Sequence, residues 1–130
     1  MTISNSLFWR LGGNGIILSD AARGCSIRYN EFGHLGENAI VSVGTAVLND
    51  GTKPTYPRGN LIEANHVHDI GLWTKQVAGY TQFLTARATV RANVVSAHAI
   101  CCLWFLGCPC WTDCVCGQQI YNTPRAGLNL

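Results

Sequence analysis

Residues able to do chemistry are sparse in this 130-residue chain, which carries nine Lys and Arg against seven Asp and Glu. Three charged residues stand beside turns of an otherwise apolar, Gly-rich pattern: Asp69 in NHVHDIG, Lys75 in GLWTKQ and Arg125 in TPRAGLN. A cation at Lys75 or Arg125 can neutralise a substrate anion, and can take a proton where its pKa is lowered. A carboxylate at Asp69 can bind a cation or serve as an acid. Each residue also has a plain structural role: a solvated charge, an ion pair or turn cap, and a turn residue. His66 and His68 alternate, so they share one side of a strand. They make a candidate zinc pair that lacks a third ligand at a sensible spacing, and no metal site is assigned to them. Six of the seven cysteines fall between Cys101 and Cys116, and CPCWTDCVC holds two Cys-x-Cys pairs three residues apart.

The elements that position these residues follow from an internal repeat. Adding 24 to the numbers of Thr2-Ile3, Phe8, Gly12 and Gly15-Ile16 gives Ser26-Ile27, Phe32, Gly36 and Ala39-Ile40. A third copy starts at Ile62, with Asn65, Val67 and Gly71 in the places of Asn30, Phe32 and Gly36; a fourth starts at Val90, followed by Asn93. Copy starts at 3, 27, 62 and 90 give periods of 24, 35 and 28, and the loop at 49–59 accounts for the long second copy. Such strands are too short to bury a face alone. Repeating at about two dozen residues, they predict a parallel solenoid with three short sheets per turn. Asn is expected at a corner because it tolerates left-handed backbone angles, and Asn30, Asn65 and Asn93 are expected to bond one another along the axis. The predicted fold is all-β: a right-handed parallel β-helix of about four short coils, the last interrupted by an irregular Cys-rich segment.

That segment is placed at residues 95–119, between coils spanning 1–94 and a resumed coil at 120–130. With Val95 to Gln119 removed, Asn93-Val94 runs straight into Ile120 and the repeat is restored. Three readings compete, thiolates holding zinc or copper(I), a disulfide-closed loop and a translated intron, and the splice-like ends favour the third. The third takes Val95-Ser96 as a splice donor and Gln119 as an acceptor. On any of them ICCLWFLG and its thiols are expected not to extend the stack, leaving an exposed apolar patch and poor solubility.

From Asn65 onward, NHVHDIGLWTKQVAGYTQFLTARATVRANV resembles the right-handed β-helix repeat proteins of the pectin-lyase-like superfamily. The tail IYNTPRAGLNL is similar to a Pro-Arg-Ala-Gly-(Ile/Leu)-Asn signature in that group. The resemblance implies a carbohydrate-active or carbohydrate-binding parent, secreted or at the cell surface, with polysaccharide as partner and calcium, at Asp69, as the one cofactor to consider. In a lyase Lys75 or Arg125 would neutralise a uronate, and a base would take the C5 proton. Tyr80 and Gln82, on the face of GYTQFL opposite Phe83, together with Gln76, would contact sugar; an ordinary solvated strand explains the first two equally well. Asp20, Asp50, Asp69 and Asp113 lie far apart, which weakens a hydrolase more than a lyase. A structural or adhesive solenoid, and a thiol-rich metal-binding protein, are the alternatives.

Composition sets the outer limits. Charged residues are only 12% and net charge is +2 without a basic cluster, so a nucleic-acid footprint is lacking. The longest apolar stretch, 94–107, is shorter than the roughly 18–20 residues that span a bilayer. Neither end offers a cap, so the chain is expected to be part of a longer solenoid and inactive alone.

Overall fold

The computed structural model describes residues 1–44, 56–74, 76–96, 101–106, 114–122 and 126–129. Every helix-or-strand element among them is a strand, and the strands come in successive sets of three. The first set is β1 (Thr2–Ser4), β2 (Leu7–Trp9) and β3 (Ile16–Ser19); the second is β4 (Ser26–Arg28), β5 (Glu31–Leu35) and β6 (Ile40–Val43). The third is β7 (Leu61–Glu63), β8 (His66–Ile70) and β9 (Ala78–Phe83); the fourth is β10 (Thr89–Arg91), β11 (Val94–Ser96) and β12 (Cys101–Leu106). The fifth is β13 (Cys114–Cys116), β14 (Gln119–Tyr121) and β15 (Ala126–Asn129).

Each strand pairs in parallel with the strand three places on, so three five-stranded sheets form: β1-β4-β7-β10-β13, β2-β5-β8-β11-β14 and β3-β6-β9-β12-β15. Each set of three is therefore one rung. The register follows the repeat read from the sequence, because Ile3, Ile27, Ile62 and Val90 are successive partners in the first sheet. A one-residue slip would turn every apolar side chain outward, so the alternation of buried and exposed positions fixes this register. Ile27, Phe32, Ile40, Ile62, Val67 and Val90 fill the space between the sheets. Phe8 stacks on Phe32 with ring centroids 4.7 Å apart and planes 9° from parallel.

Polar side chains complete the stack at a corner where sheet pairing lapses. The Asn30, Asn65 and Asn93 side chains are buried one above another. Asn65 Oδ1 accepts from both the backbone N–H and Nδ2 of Asn30 at 3.1 Å. Asn93 Oδ1 does the same for Asn65 at 2.9 and 3.0 Å. Each amide also donates to a carbonyl of the rung before: Asn30 to Ile3, Asn65 to Ile27 and Asn93 to Ile62. The left-handed backbone is not at these asparagines, as the sequence reading had it, but at the residue before each. Asn5, Tyr29, Ala64 and Ala92 have φ of 53°, 57°, 50° and 53°, and Gly117 has 63°. The asparagine is selected for its amide, which satisfies backbone groups the turn leaves unpaired.

The cysteine-rich segment extends the stack, which corrects the expectation that it stops. Cys114–Cys116 pairs with Thr89–Arg91, and Cys101–Leu106 pairs with β9 on one side and β15 on the other. Val115 is the fifth member of the Ile3 column. Gln118 stands where an Asn stood before: its Oε1 accepts from Asn93 N–H at 3.1 Å and its Nε2 donates to the Val90 carbonyl at 2.8 Å. Val94 pairs with Gln119, a step of 25 residues, so residues 95–119 have the length of one rung. Removing a complete rung restores the repeat just as removing an insert would.

It follows that deleting residues 95–119 should leave a folded four-rung stack. Val94 would run into Ile120 and Tyr121, which would take the places of Val95 and Ser96 opposite Val67 and His68. Stability in stacked repeats is close to a sum over units and their interfaces, so the melt should stay cooperative at a lower temperature. Far-ultraviolet circular dichroism during a thermal scan checks this; a chain without a cooperative transition would contradict the register.

Candidate functional site

The second sheet turns Phe8, Phe32, Val67, Val95 and Ile120 inward, so the residues flanking them in each strand face out. One outward row contains Leu7, Glu31 and His66, and the next contains Trp9, Gly33 and His68. Parallel strands lie about 4.8 Å apart, close enough for side chains of neighbouring rungs to touch directly. Glu31 and His66, 35 residues apart in sequence, thus become lateral neighbours.

His68 is the hub. Its Nε2 lies 3.1 Å from Glu31 Oε1 and its Nδ1 lies 3.0 Å from Asp69 Oδ2. Consecutive residues of a regular strand point to opposite faces. Asp69 has φ of 49°, in column with Arg10 at 55° and His34 at 52°, and this corner brings its carboxylate back beside the His68 ring. Partial burial by itself would lower the His68 pKa, but the hydrogen bonds and charges of Asp69 and Glu31 outweigh it and hold the imidazole above its ordinary value. The protonated ring then donates to a carboxylate from each side.

Gly33 makes room for this arrangement. A Cβ there would collide with the Trp9 ring, and would lie 2.8 Å from His68 Cε1. Both rings lean over the bare backbone, with centroids 5.7 Å apart. His34 meets Trp9 edge-on at 4.4 Å, and His66 lies 4.7 Å from His68, centroid to centroid. Three residues along the same rung, Gly36 is likewise covered by Trp73, which is 76% exposed. Two accessible indoles therefore rest on glycines of one rung, beside a cluster of carboxylates and imidazoles.

No family model, curated protein or solved structure matches this chain.

Of the residues singled out from the sequence, Asp69 belongs to this cluster, while Lys75 and Arg125 lie outside the described residues. Gln76 is exposed at the approach to β9. Tyr80 and Gln82 were expected to face outward, and this is corrected: they are 2% and 0% exposed, and Phe83 at 41% is the outward one. Their alternation was read correctly, but register decides its sense. Tyr80 lies beside Ile40 and Gln82 beside Ser42, both buried. The small Ser42 side chain leaves space, and the Tyr80 hydroxyl donates to Gln82 Oε1 at 3.0 Å inside the stack. Neither can meet a ligand from solvent.

The sequence reading missed Glu31, Trp9 and Gly33. The signal was present, since aligning Asn30 with Asn65 also aligns Glu31 with His66 and Gly33 with His68. Among the thiols, Cys114 and Cys116 are exposed and free, with sulfurs 3.8 Å apart. Cys114 pushes the Cys116 thiol up, so it is less ready to ionise and bind metal. Cys108, Cys110 and the segment 49–55 lie outside the described residues. Among the described residues no helix is long and apolar enough to cross a membrane.

Proposed function

We propose that this chain is a right-handed parallel β-helix that binds polysaccharide along the outward face of its second sheet and the turn that follows it, as part of a carbohydrate-active or carbohydrate-binding solenoid. Handedness follows from the general rule that parallel strands joined within one sheet take right-handed crossovers. Turns of 24 to 35 residues are long enough to visit three sheets before returning.

The observation that carries the ligand class is the pair of exposed indoles, Trp9 over Gly33 and Trp73 over Gly36. Three extended residues reach at most about 11 Å, so the two footholds suit neighbouring sugars of one chain. An indole offers a broad apolar face to the C–H face of a pyranose at little entropic cost. Glu31, His66 and Asp69 surround His68, whose ring packs on Trp9, and can bond sugar hydroxyls. Binding is the primary activity on this reading. A lyase-like parent reaction draws on Asp69 together with Lys75 and Arg125.

The test is titration of the full chain with a panel of acidic and neutral polysaccharides, followed by tryptophan fluorescence and affinity electrophoresis. Retardation by at least one polymer is expected, with Trp9→Ala and Trp73→Ala each weakening it by about tenfold or more, the equivalent of one lost stacking contact. New ultraviolet absorbance from an unsaturated product would add lyase activity. Absence of binding across the panel, or binding indifferent to both substitutions, would overturn the assignment and favour a structural solenoid.

A further inference from the structure

We propose that Glu31, His66 and His68 form a binding site for a divalent late transition metal, zinc foremost, with Asp69 as the outer carboxylate that orients His68. This inference does not depend on glycan binding. The three residues each offer one ligand atom, and these atoms all lie within 4.8 Å of one another. Two ligands on one zinc, with bonds of about 2.0–2.1 Å, sit roughly 3.0–3.5 Å apart. Glu31 Oε1 and His68 Nε2 already have that spacing at 3.1 Å. His66 is exposed and can complete the set by turning its ring, because its neighbours do not enclose it.

The strongest support is the fourth residue. Metal-bound imidazoles characteristically donate their other N–H to a carboxylate, which fixes the tautomer and raises ligand basicity. Asp69 stands at that place, 3.0 Å from His68 Nδ1, while Nε2 is the nitrogen facing Glu31. The left-handed φ of 49° at Asp69 puts the carboxylate there. The His68 ring is also held on its flank by Trp9 across the bare Gly33, so its orientation is preset before metal arrives. On binding, the metal replaces the proton at Nε2, which leaves to solvent, and the positions not filled by protein stay open to water.

Ligand chemistry selects the ion. Two imidazoles and one carboxylate suit zinc, nickel, copper or ferrous iron, whereas calcium prefers six to eight oxygens. This cluster is thus a poor home for the calcium that resemblance to polysaccharide lyases implies. Sequence alone hid the site because the third ligand comes from the rung before, 35 residues upstream of His66.

The experiment titrates the full chain with cobalt(II) and with zinc(II) against a chromophoric chelator, after alkylating accessible thiols with iodoacetamide so that cysteines cannot compete. Uptake of one metal per chain is expected, without the intense thiolate-to-cobalt absorbance of a sulfur site. His66→Ala and His68→Ala should abolish uptake and Glu31→Gln should weaken it. Asp69→Asn should lower affinity by about 10–100-fold while leaving the cobalt spectrum in place. Bound cobalt should quench Trp9, so Trp9→Phe should remove most of the quenching, with a smaller loss of affinity than the ligand variants show. His66 and Glu31 are exposed, so their variants should fold, as circular dichroism will verify. No uptake by the alkylated chain, or uptake unchanged in the three ligand variants, would overturn the proposal.

Discussion

Asn65→Ala is expected to destabilise the chain by about 3–5 kcal/mol, a large fraction of the stability of an ordinary domain. Asn65 is buried in the middle of the corner ladder and its amide serves both neighbouring rungs. Its loss orphans the Asn30 backbone N–H, which has it as partner at 3.1 Å, and removes the bond it adds at 3.0 Å to the Ile27 carbonyl, itself a member of the first sheet. The Asn30 and Asn93 side chains lose one bond each but keep others, to the Ile3 carbonyl and the Asn65 N–H. One orphaned backbone N–H in a site shut off from water costs about 1–3 kcal/mol, the lost bond at the Ile27 carbonyl about 1 kcal/mol more, and the vacated volume adds to this. Ser6→Ala is the control: it occupies the same column, but its hydroxyl bonds only the exposed Ser4 carbonyl, and its N–H, which donates to Asn30 Oδ1, is unaffected. Its expected cost is below about 1 kcal/mol. Asn65→Asp separates the two roles, since a carboxylate still accepts from Asn30 but cannot donate to Ile27. Urea unfolding measures all three, and equal midpoint shifts for Asn65→Ala and Ser6→Ala would refute the ladder as a source of stability.

That column also shows why so much of the architecture was legible. Ile3, Ile27, Ile62 and Val90 mark one strand of each rung because an interior with no other filling demands a branched apolar side chain at each level. Periodicity failed at the fifth rung for a definable reason. The repeat was written in asparagine, and Gln118, one methylene longer, performs the same bonding without matching the letter. The 25 residues from Val95 to Gln119 then looked removable, because subtracting a whole period leaves any periodic pattern intact.

The site was less legible than the stack, since it is assembled across rungs. Tyr80 and Gln82 were assigned outward on polarity, yet the same alternation fits either sense, and only their pairing with Ile40 and Ser42 decides it. The mutual hydrogen bond of the two makes burial tolerable, and nothing local in GYTQFL announces it. The left-handed corners were likewise hidden: Tyr29, Ala64, Leu84 and Ala92 carry no turn signature. Stacking on the adjacent rungs imposes those angles, a tertiary constraint that local propensity does not encode. Asp69 was found for its turn position, which is also what brings its carboxylate to His68.

Gly36→Ala should be far more damaging than Gly33→Ala, although each adds one methyl-sized group to the same rung. At Gly36 the new Cβ would strike the Gly12 carbonyl oxygen and come within 2.7 Å of its carbon, with the Trp73 ring on another side. That obstacle is backbone of the rung before, tied in place because Gly36 N–H donates to the Leu11 carbonyl at 2.8 Å. Relief requires the rungs to part, so a loss of about 2–4 kcal/mol is expected. Backbone angle is not the cause, since Gly36 lies outside the left-handed region. At Gly33 the obstacles are ring atoms of Trp9 and His68, side chains that can swing toward solvent. Gly33→Ala should therefore cost less than about 1.5 kcal/mol while displacing both rings, shifting tryptophan fluorescence and weakening glycan and metal binding. Gly33→Ala thus separates function from stability, whereas Gly36 both sets the spacing of the stack and carries Trp73. Denaturant unfolding beside polysaccharide and cobalt titrations will read the two apart. A Gly36→Ala chain as stable as Gly33→Ala would mean that the rungs do not approach as closely as this geometry requires.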